Sequence, residues 1–436
     1  MVRRLSRAAL YLALVVLVGL AVLVGILLFF TRTRGGIERA GRFAVSRLAE
    51  QVQGEMRVGR VRSSGLLHGA TLYDVSIRDR RGRPFLLADS ASIAYNWRTL
   101  LGGSIVLDRV TIWDARVIVE KLPGDTAWNY QTIFADTTPD EGPRRLVLLR
   151  DARLVNADVR VRYPWRPESP PDEPSDTARL VLESEQGQPM RVLRFQVENA
   201  SIPRIVWSTP EEPGQLIRIA SLRGRAYIWE TPVVVEEAAG NLALRDSVIA
   251  FDVPRFRLPG SAGRAIGTIT RGKERRLYDI LVEGRDVDFS DLQWLHPRLP
   301  EQGGGTLTLQ IQSLDRGTLW LISDALVRTP GSELAGSFGV VTGDTLYFTN
   351  VDLRASPLDL ALLRAVLPGD LPLEGIMVGT VEVEGPISAL QTRGTVTVVR
   401  RGTAGPPSGV RWRGTLDLRR FRFARSMTAD VRGLDL

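Results

Sequence analysis

The stretch Gly305–Gln312, GTLTLQIQ, alternates apolar and polar side chains without a break. Successive residues of an extended strand point to opposite faces. Leu307, Leu309 and Ile311 therefore share one face, and Thr306, Thr308, Gln310 and Gln312 the other. A helix would scatter the same residues around its axis, so the pattern selects a strand with one apolar face. The period of two returns where Val381 and Val383 alternate with Thr380, Glu382 and Glu384, and where Val396 and Val398 alternate with Thr395 and Thr397. From Met56 onward the chain reads as mostly β.

Working outward, strands are predicted at Ser104–Val110, Val117–Leu122, Leu180–Glu183, Val192–Val197, Ile217–Leu222, Arg225–Trp229, Val233–Glu237 and Ser247–Val253, with turn chemistry between them. Asn96–Gly103 reads as one helical turn closed by glycine. The proline-rich acidic segments Asp136–Arg145 and Pro164–Asp176 read as exposed loops, because proline donates no amide to a ladder. An internal repeat surrounds the opening stretch. Asp288–Leu295, Leu299-Pro300 and the Gly305 strand match Ser356–Leu363, Leu367-Pro368, Leu371-Pro372 and the Gly379 strand. Each copy is expected to be a short helix with a serine cap, then a turn, then an alternating strand; Ser356-Pro357 suits the cap and first helical positions. Such repetition points to an array. One-sided strands must hide their apolar face against a second sheet, in a barrel, or in a trough holding something apolar. Alternation alone puts the two-sheet sandwich first.

The N-terminal stretch Ala8–Phe30 carries no charge. As a helix it would reach about 34 Å, enough for a hydrocarbon core of about 30 Å. A single transmembrane helix is predicted here, with Leu10, Leu14, Leu17, Leu20, Leu23, Leu27 and Phe30 in contact with lipid. The run is longer than a cleaved leader's apolar core and lacks a small-x-small site, so an uncleaved signal-anchor is expected. Arg3, Arg4 and Arg7 precede it and Arg32, Arg34, Arg39 and Arg42 follow it, so charge alone leaves its orientation open. Gly36–Val52 follows as a short amphipathic helix.

The 436 residues suffice for two or three ordinary domains, and a hydrophobic content of 44% excludes wholesale disorder. With no cysteine there are no disulfides or thiolate sites. The net charge of +8 is carried by arginine, Lys121 and Lys273 being the only lysines. The arginines alternate with acids, as in Asp151-Ala152-Arg153 and Asp158-Val159-Arg160, which makes solvated strand faces and argues against nucleic-acid binding. His68 and His296 stand in unlike contexts, and no metal or zincin spacing surrounds them. Gly336-Ser337-Phe338-Gly339 has the wrong spacing for a nucleophile elbow. Gly267–Glu274 fits most of a P-loop but puts Glu274 where the magnesium-binding hydroxyl belongs. Asp286 and Asp288 lack a helper group. No catalytic residue, cofactor or metal ligand is expected.

At Gly65–Val117 the order of motifs becomes recognisable. Gly65-Leu66-Leu67-His68-Gly69-Ala70-Thr71-Leu72-Tyr73-Asp74-Val75-Ser76-Ile77 leads through Gly82-Arg83-Pro84 to Ala88–Trp97 and Leu100–Gly103. It ends in Ile105–Val117. This order after one N-terminal anchor resembles AsmA-like proteins. The later helix–Leu-Pro–Gly–strand repeats look like the TamB branch of that superfamily, the translocation and assembly module. The resemblance implies a mostly β fold: one transmembrane helix, then an elongated, twisted, antiparallel-type β-sheet trough, or β-groove, with a few short helices. It also implies an inner-membrane, single-pass protein whose bulk lies in the periplasm. Such proteins are implicated in carrying phospholipids toward the outer membrane and, for TamB, in outer-membrane protein assembly with a barrel partner. In those terms the chain divides into a tail and anchor (1–34), a juxtamembrane helix (35–54), an AsmA-like β region (55–163), a Pro-rich acidic loop (164–178), a β region (179–285) and repeated groove units (286–436). Leu307, Leu309, Ile311, Val381, Val383, Val396 and Val398 become the expected lipid-facing residues. The chain stops at Leu436 in a strand-like run, without the segment by which TamB proteins meet their partner, which fits either an N-terminal part of a longer protein or a short relative that hands lipid to another component.

Overall fold

In the computed structural model the described residues are 53–63, 69–95, 105–133, 147–165, 180–206, 215–245, 247–271, 275–343, 345–362, 374–399, 407–419 and 424–433. The predicted anchor, the helix Gly36–Val52, His68, the turn Asn96–Gly103 and the insert Asp136–Arg145 lie outside them, as does most of the insert Pro164–Asp176. Among the described residues no helix is long and apolar enough to cross a membrane. Strand dominates, and the chain divides into two units, each taken by itself.

The first unit holds β1 (Gly54–Ser63), β2 (Ala70–Asp79), β3 (Pro84–Tyr95), β4 (Ile105–Glu120), β5 (Val147–Pro164), β6 (Leu182–Glu185) and β7 (Gln188–Val206). Its ladder runs β1-β2-β3-β4-β5-β7-β6. All of these pairs are antiparallel except β4–β5, which is parallel, a departure from the expected antiparallel sheet. A parallel pair needs a crossover between its strands, and the short helix α1 (Asn129–Ile133) lies in that connection. Buried Asn129 fixes it: its Oδ1 accepts from the N–H groups of Glu120 at 3.0 Å and Tyr130 at 2.8 Å, and its Nδ2 donates to the Ile118 carbonyl at 2.7 Å.

The core of this unit breaks the two-residue rule. Val58 and Val61, Leu72 and Val75, Ala88 and Ala91, Ile112 and Ala115, and Leu154 and Ala157 pack together although each pair is three residues apart. Asp74, Asp114 and Asn156 explain the pairs on β2, β4 and β5, with φ of 55°, 53° and 53°. One left-handed residue between the apolar pair turns the strand, so both flanking side chains reach the same face. Asp and Asn tolerate this conformation better than other non-glycine residues. The Asn156 side-chain amide donates to the Asp114 carboxylate on the neighbouring strand. On β1, a Cβ at Gly59 would lie 2.8 Å from Asp74 Oδ2, so only glycine fits beside the kink.

One end of this sheet carries a charged cluster. Arg83 donates to Asp79 at 2.7 Å, and Arg162 donates to Glu120 at 3.1 Å and to Glu185 at 3.0 Å. Asp79 and Glu120 are buried. Burial pushes the Glu120 carboxyl above its ordinary range, against the pull of Arg83 and Arg162. Burial works against the charge of both arginines, yet their carboxylate partners outweigh it and raise them.

The second unit is a meander. Its strands are β8 (Gln215–Tyr227), β9 (Val233–Arg245), β10 (Val248–Arg257), β11 (Ala262–Arg271), β12 (Arg276–Asp288), β13 (Gly304–Leu314) and β14 (Gly317–Thr329). They continue with β15 (Ser332–Thr342), β16 (Tyr347–Asp359), β17 (Ile376–Pro386), β18 (Leu390–Val399), β19 (Ser408–Leu416) and β20 (Ala424–Arg432). Each pairs antiparallel with the next. The predicted strands at Ile217 and Arg225 merge into β8, and Val192–Val197 is the middle of the longer β7.

The internal repeat is present with different caps. Asp288, rather than a serine, caps the 3-10 turn Phe289–Leu292, its Oδ1 accepting from the Ser290 N–H at 2.8 Å. Ser356 and Pro357 do not start a helix; they lie within β16, and Asp359 takes the capping place, accepting from the Ala361 N–H at 3.1 Å. In the first copy the Ser290 hydroxyl itself donates to Asp288 Oδ1 at 2.6 Å, so the carboxylate is the acceptor at the cap. Both copies hang from a buried serine at the start of an earlier strand. Ser261 Oγ accepts from the Asp288 N–H, and Ser332 Oγ from the Asp359 N–H, each at 2.9 Å.

Candidate functional site: an apolar sheet face

Partners in an antiparallel ladder point to the same side, so register decides which residues share a face. From β8, Ile217 leads to Leu242, then Phe251, Gly267 and Ile280. Ile280 leads to Ile311, Trp320, Val340 and Phe348. Further along the strands, Leu353 leads to Val381, Gly394, Trp412 and Ala429. The result is a single apolar face from β8 to β20.

All seven sequence-predicted positions fall on it. Leu309 lies between Val282 and Ile322, and Ile311 between Ile280 and Trp320. Leu307 faces Gly284. Val381 and Val383 sit opposite Leu353 and Val351. Val396 and Val398 are cross-strand neighbours of Gly379 and Met377. Thus three separately read alternations become one surface, β13 joined to β17 through β14, β15 and β16, and β17 paired directly with β18.

This face is not the interior of a sandwich. Among the described residues of the unit, the substantial contacts of each strand are with its ladder neighbours, and β8 and β20 do not pair to close a barrel. Of the seven positions only Val396 is buried; the others are half-buried. Ile249, Trp320 and Met427, on the same face, are 42%, 42% and 38% exposed. The sandwich expected from alternation alone therefore does not form within this unit. Covering a half-exposed leucine would recover about 1 kcal/mol.

The opposite face is laced across strands by ion pairs, which stand beside apolar residues such as Ile266 and Leu281. Arg264 donates to Glu283 at 2.7 Å, Arg328 to Glu333 at 2.9 Å and Arg393 to Glu382 at 2.6 Å. A recess of about 710 Å³ opens among residues of that face including Ser337, Asp352, Glu382 and Arg393. Tyr347 donates to Glu384 at 3.0 Å, and that bond holds its hydroxyl above the usual phenol range.

Alternation did not reveal the kinks. In this unit Asp324 and Asn350, both with φ of 52°, repeat the device of the first. The local pattern is an apolar residue, any residue, Asp or Asn, then an apolar residue: Leu72 to Val75, Ile112 to Ala115, Leu154 to Ala157, Ile322 to Ala325 and Phe348 to Val351. A mid-strand Asp or Asn between apolar residues three apart was the available signal.

The other motifs resolve differently. Gly336–Gly339 lies in β15, where Ser337 Oγ donates to the Asn350 carbonyl at 2.6 Å. Gly267–Arg271 is part of β11, a strand where a phosphate loop would need a turn. Among the described residues no group of three or more His, Cys, Asp or Glu could hold a metal ion. No protein-family model, curated protein or solved structure matches the chain.

Proposed function

We propose that this chain is a non-catalytic lipid carrier, with phospholipid acyl chains lying on the apolar face of β8–β20. Ala8–Phe30 would tether it to an inner membrane, with the strands in the periplasm and phospholipid moving toward an outer membrane. The observation that carries this reading is that Ile311, Val381 and Val396 share one sheet face, which is kept through the β-bulges that shift the register between their strands. Acyl chains on such a surface would be stabilised by roughly 25 cal/mol per Å² of apolar area removed from water, while headgroups stay in solvent. The reading needs no catalytic group, cofactor, metal or nucleic acid.

Leu309→Asp, Val383→Asp and Val398→Asp, combined, place charge on the face and leave the left-handed residues Asp324 and Asn350 and the capping aspartates unchanged. Phospholipid transfer between donor and acceptor vesicles should fall at least tenfold while far-UV circular dichroism stays that of a β-protein. Transfer at the parent rate by the folded variant would refute the reading.

A second reading is an assembly scaffold for outer-membrane proteins, with a barrel partner. It is favoured by β20, whose described residues are exposed from Ser426 to Arg432. Partner capture would then depend on that strand's backbone edge and be indifferent to the three charges.

A further inference from the structure

Arginines on neighbouring strands of the ion-paired face are placed against electrostatic expectation. Arg393 on β18 and Arg413 on β19 are direct cross-strand partners, an arrangement in which like charges repel. Arg411 lies two residues along β19, on the same face, opposite Thr395 and Asp430. Glu382 engages Arg393, and Asp430 pairs with Arg432 at 3.4 Å. Among the described residues neither Arg411 nor Arg413 makes an ion pair. The three guanidiniums line a recess of about 370 Å³ together with Thr380, Thr395 and Thr428. Both acids of that recess, Glu382 and Asp430, are already engaged. Besides the arginines and the acids, the recess is lined by those three threonines, Gly394 and Trp412.

We propose that Arg393, Arg411 and Arg413 form a binding site for a phosphate oxyanion on the ion-paired face. Guanidinium forks match phosphate geometry with paired N–H donors. Cross-strand neighbours stand about 5 Å apart and residues i and i+2 about 7 Å apart, so one phosphate reaches two or three of these side chains. A bound phosphate would offset the like-charge contact between Arg393 and Arg413. By ladder register the three arginines lie on the face opposite Val381, Val396 and Trp412, and the proposal stands independently of the lipid reading.

Two acyl-free probes test it, so the apolar face plays no part in the result. The full chain in neutral detergent is titrated calorimetrically with inorganic phosphate and with glycerophosphoglycerol, the phosphodiester headgroup of an anionic lipid. At least one probe should bind, more weakly as salt rises, and Arg411→Gln with Arg413→Gln should lower its affinity tenfold or more. Binding of the diester alone assigns a lipid headgroup as the source; binding of inorganic phosphate alone assigns a free phosphate. Arg411→Lys with Arg413→Lys should restore part of the affinity, because the charges return without the forks. The glutamine variant should melt no earlier than its parent, since it removes a like-charge contact. No binding of either probe at millimolar concentration, or equal binding by the glutamine variant, would overturn the site.

Discussion

Asn350 holds a left-handed backbone between Phe348 and Val351, and its N–H donates to Glu384 at 3.1 Å. A β-branched residue there meets the clash between Cβ and the following carbonyl, worth about 1–2 kcal/mol. Asn350→Val should therefore lower unfolding stability by that amount in urea, while Asn350→Gly should stay within about 0.5 kcal/mol of the parent. Equal effects would mean that the kink is not what the side chain serves. Glu120 makes a second residue-scale case. Its folded pKa stands above the ordinary 4.5, so the folded protein holds that proton longer than the unfolded chain does. The contribution of Glu120 to stability is then greatest below the ordinary carboxylate range, and falls as pH rises through the raised value. The stability difference between parent and Glu120→Gln should shift against the parent across that window. A shift in the parent's favour would contradict the burial of this carboxyl.

At the scale of elements, the two repeat copies offer a paired test. Ser261→Ala and Ser332→Ala each remove the acceptor for one aspartate N–H, at Asp288 and Asp359. Each should cost about 1–2 kcal/mol, the two losses matching within experimental error, in equilibrium denaturation. Unequal losses would mean that the copies are alike in sequence only. The alternation of Gly305–Gln312 was legible because a strand needs nothing beyond its own residues to sort its two faces. The same is true of Val381 with Val383 and of Val396 with Val398. The caps were half legible: both copies carry a serine and an aspartate near the turn, and local sequence does not rank them. The kinks at Asp74, Asp114 and Asn156 escaped because they break the period that identified the strands. The parallel pairing of β4 with β5 escaped for another reason, since strand direction depends on a crossover that no local pattern encodes.

For the molecule as a whole, the β8–β20 unit presents an apolar face that its own described strands leave uncovered. Charge pairs such as Arg264–Glu283 keep the reverse face in water. That division of labour follows from a two-residue period that resumes on the same face after each kink. It makes the carrier reading vulnerable to one direct observation. The full chain is purified in mild detergent and its bound lipid is measured by native mass spectrometry, beside Leu309→Asp, Val383→Asp and Val398→Asp combined. The account predicts copurifying phospholipid on the parent and at least a tenfold loss on the folded variant. A parent free of phospholipid, or a variant that retains it in full, would contradict the account.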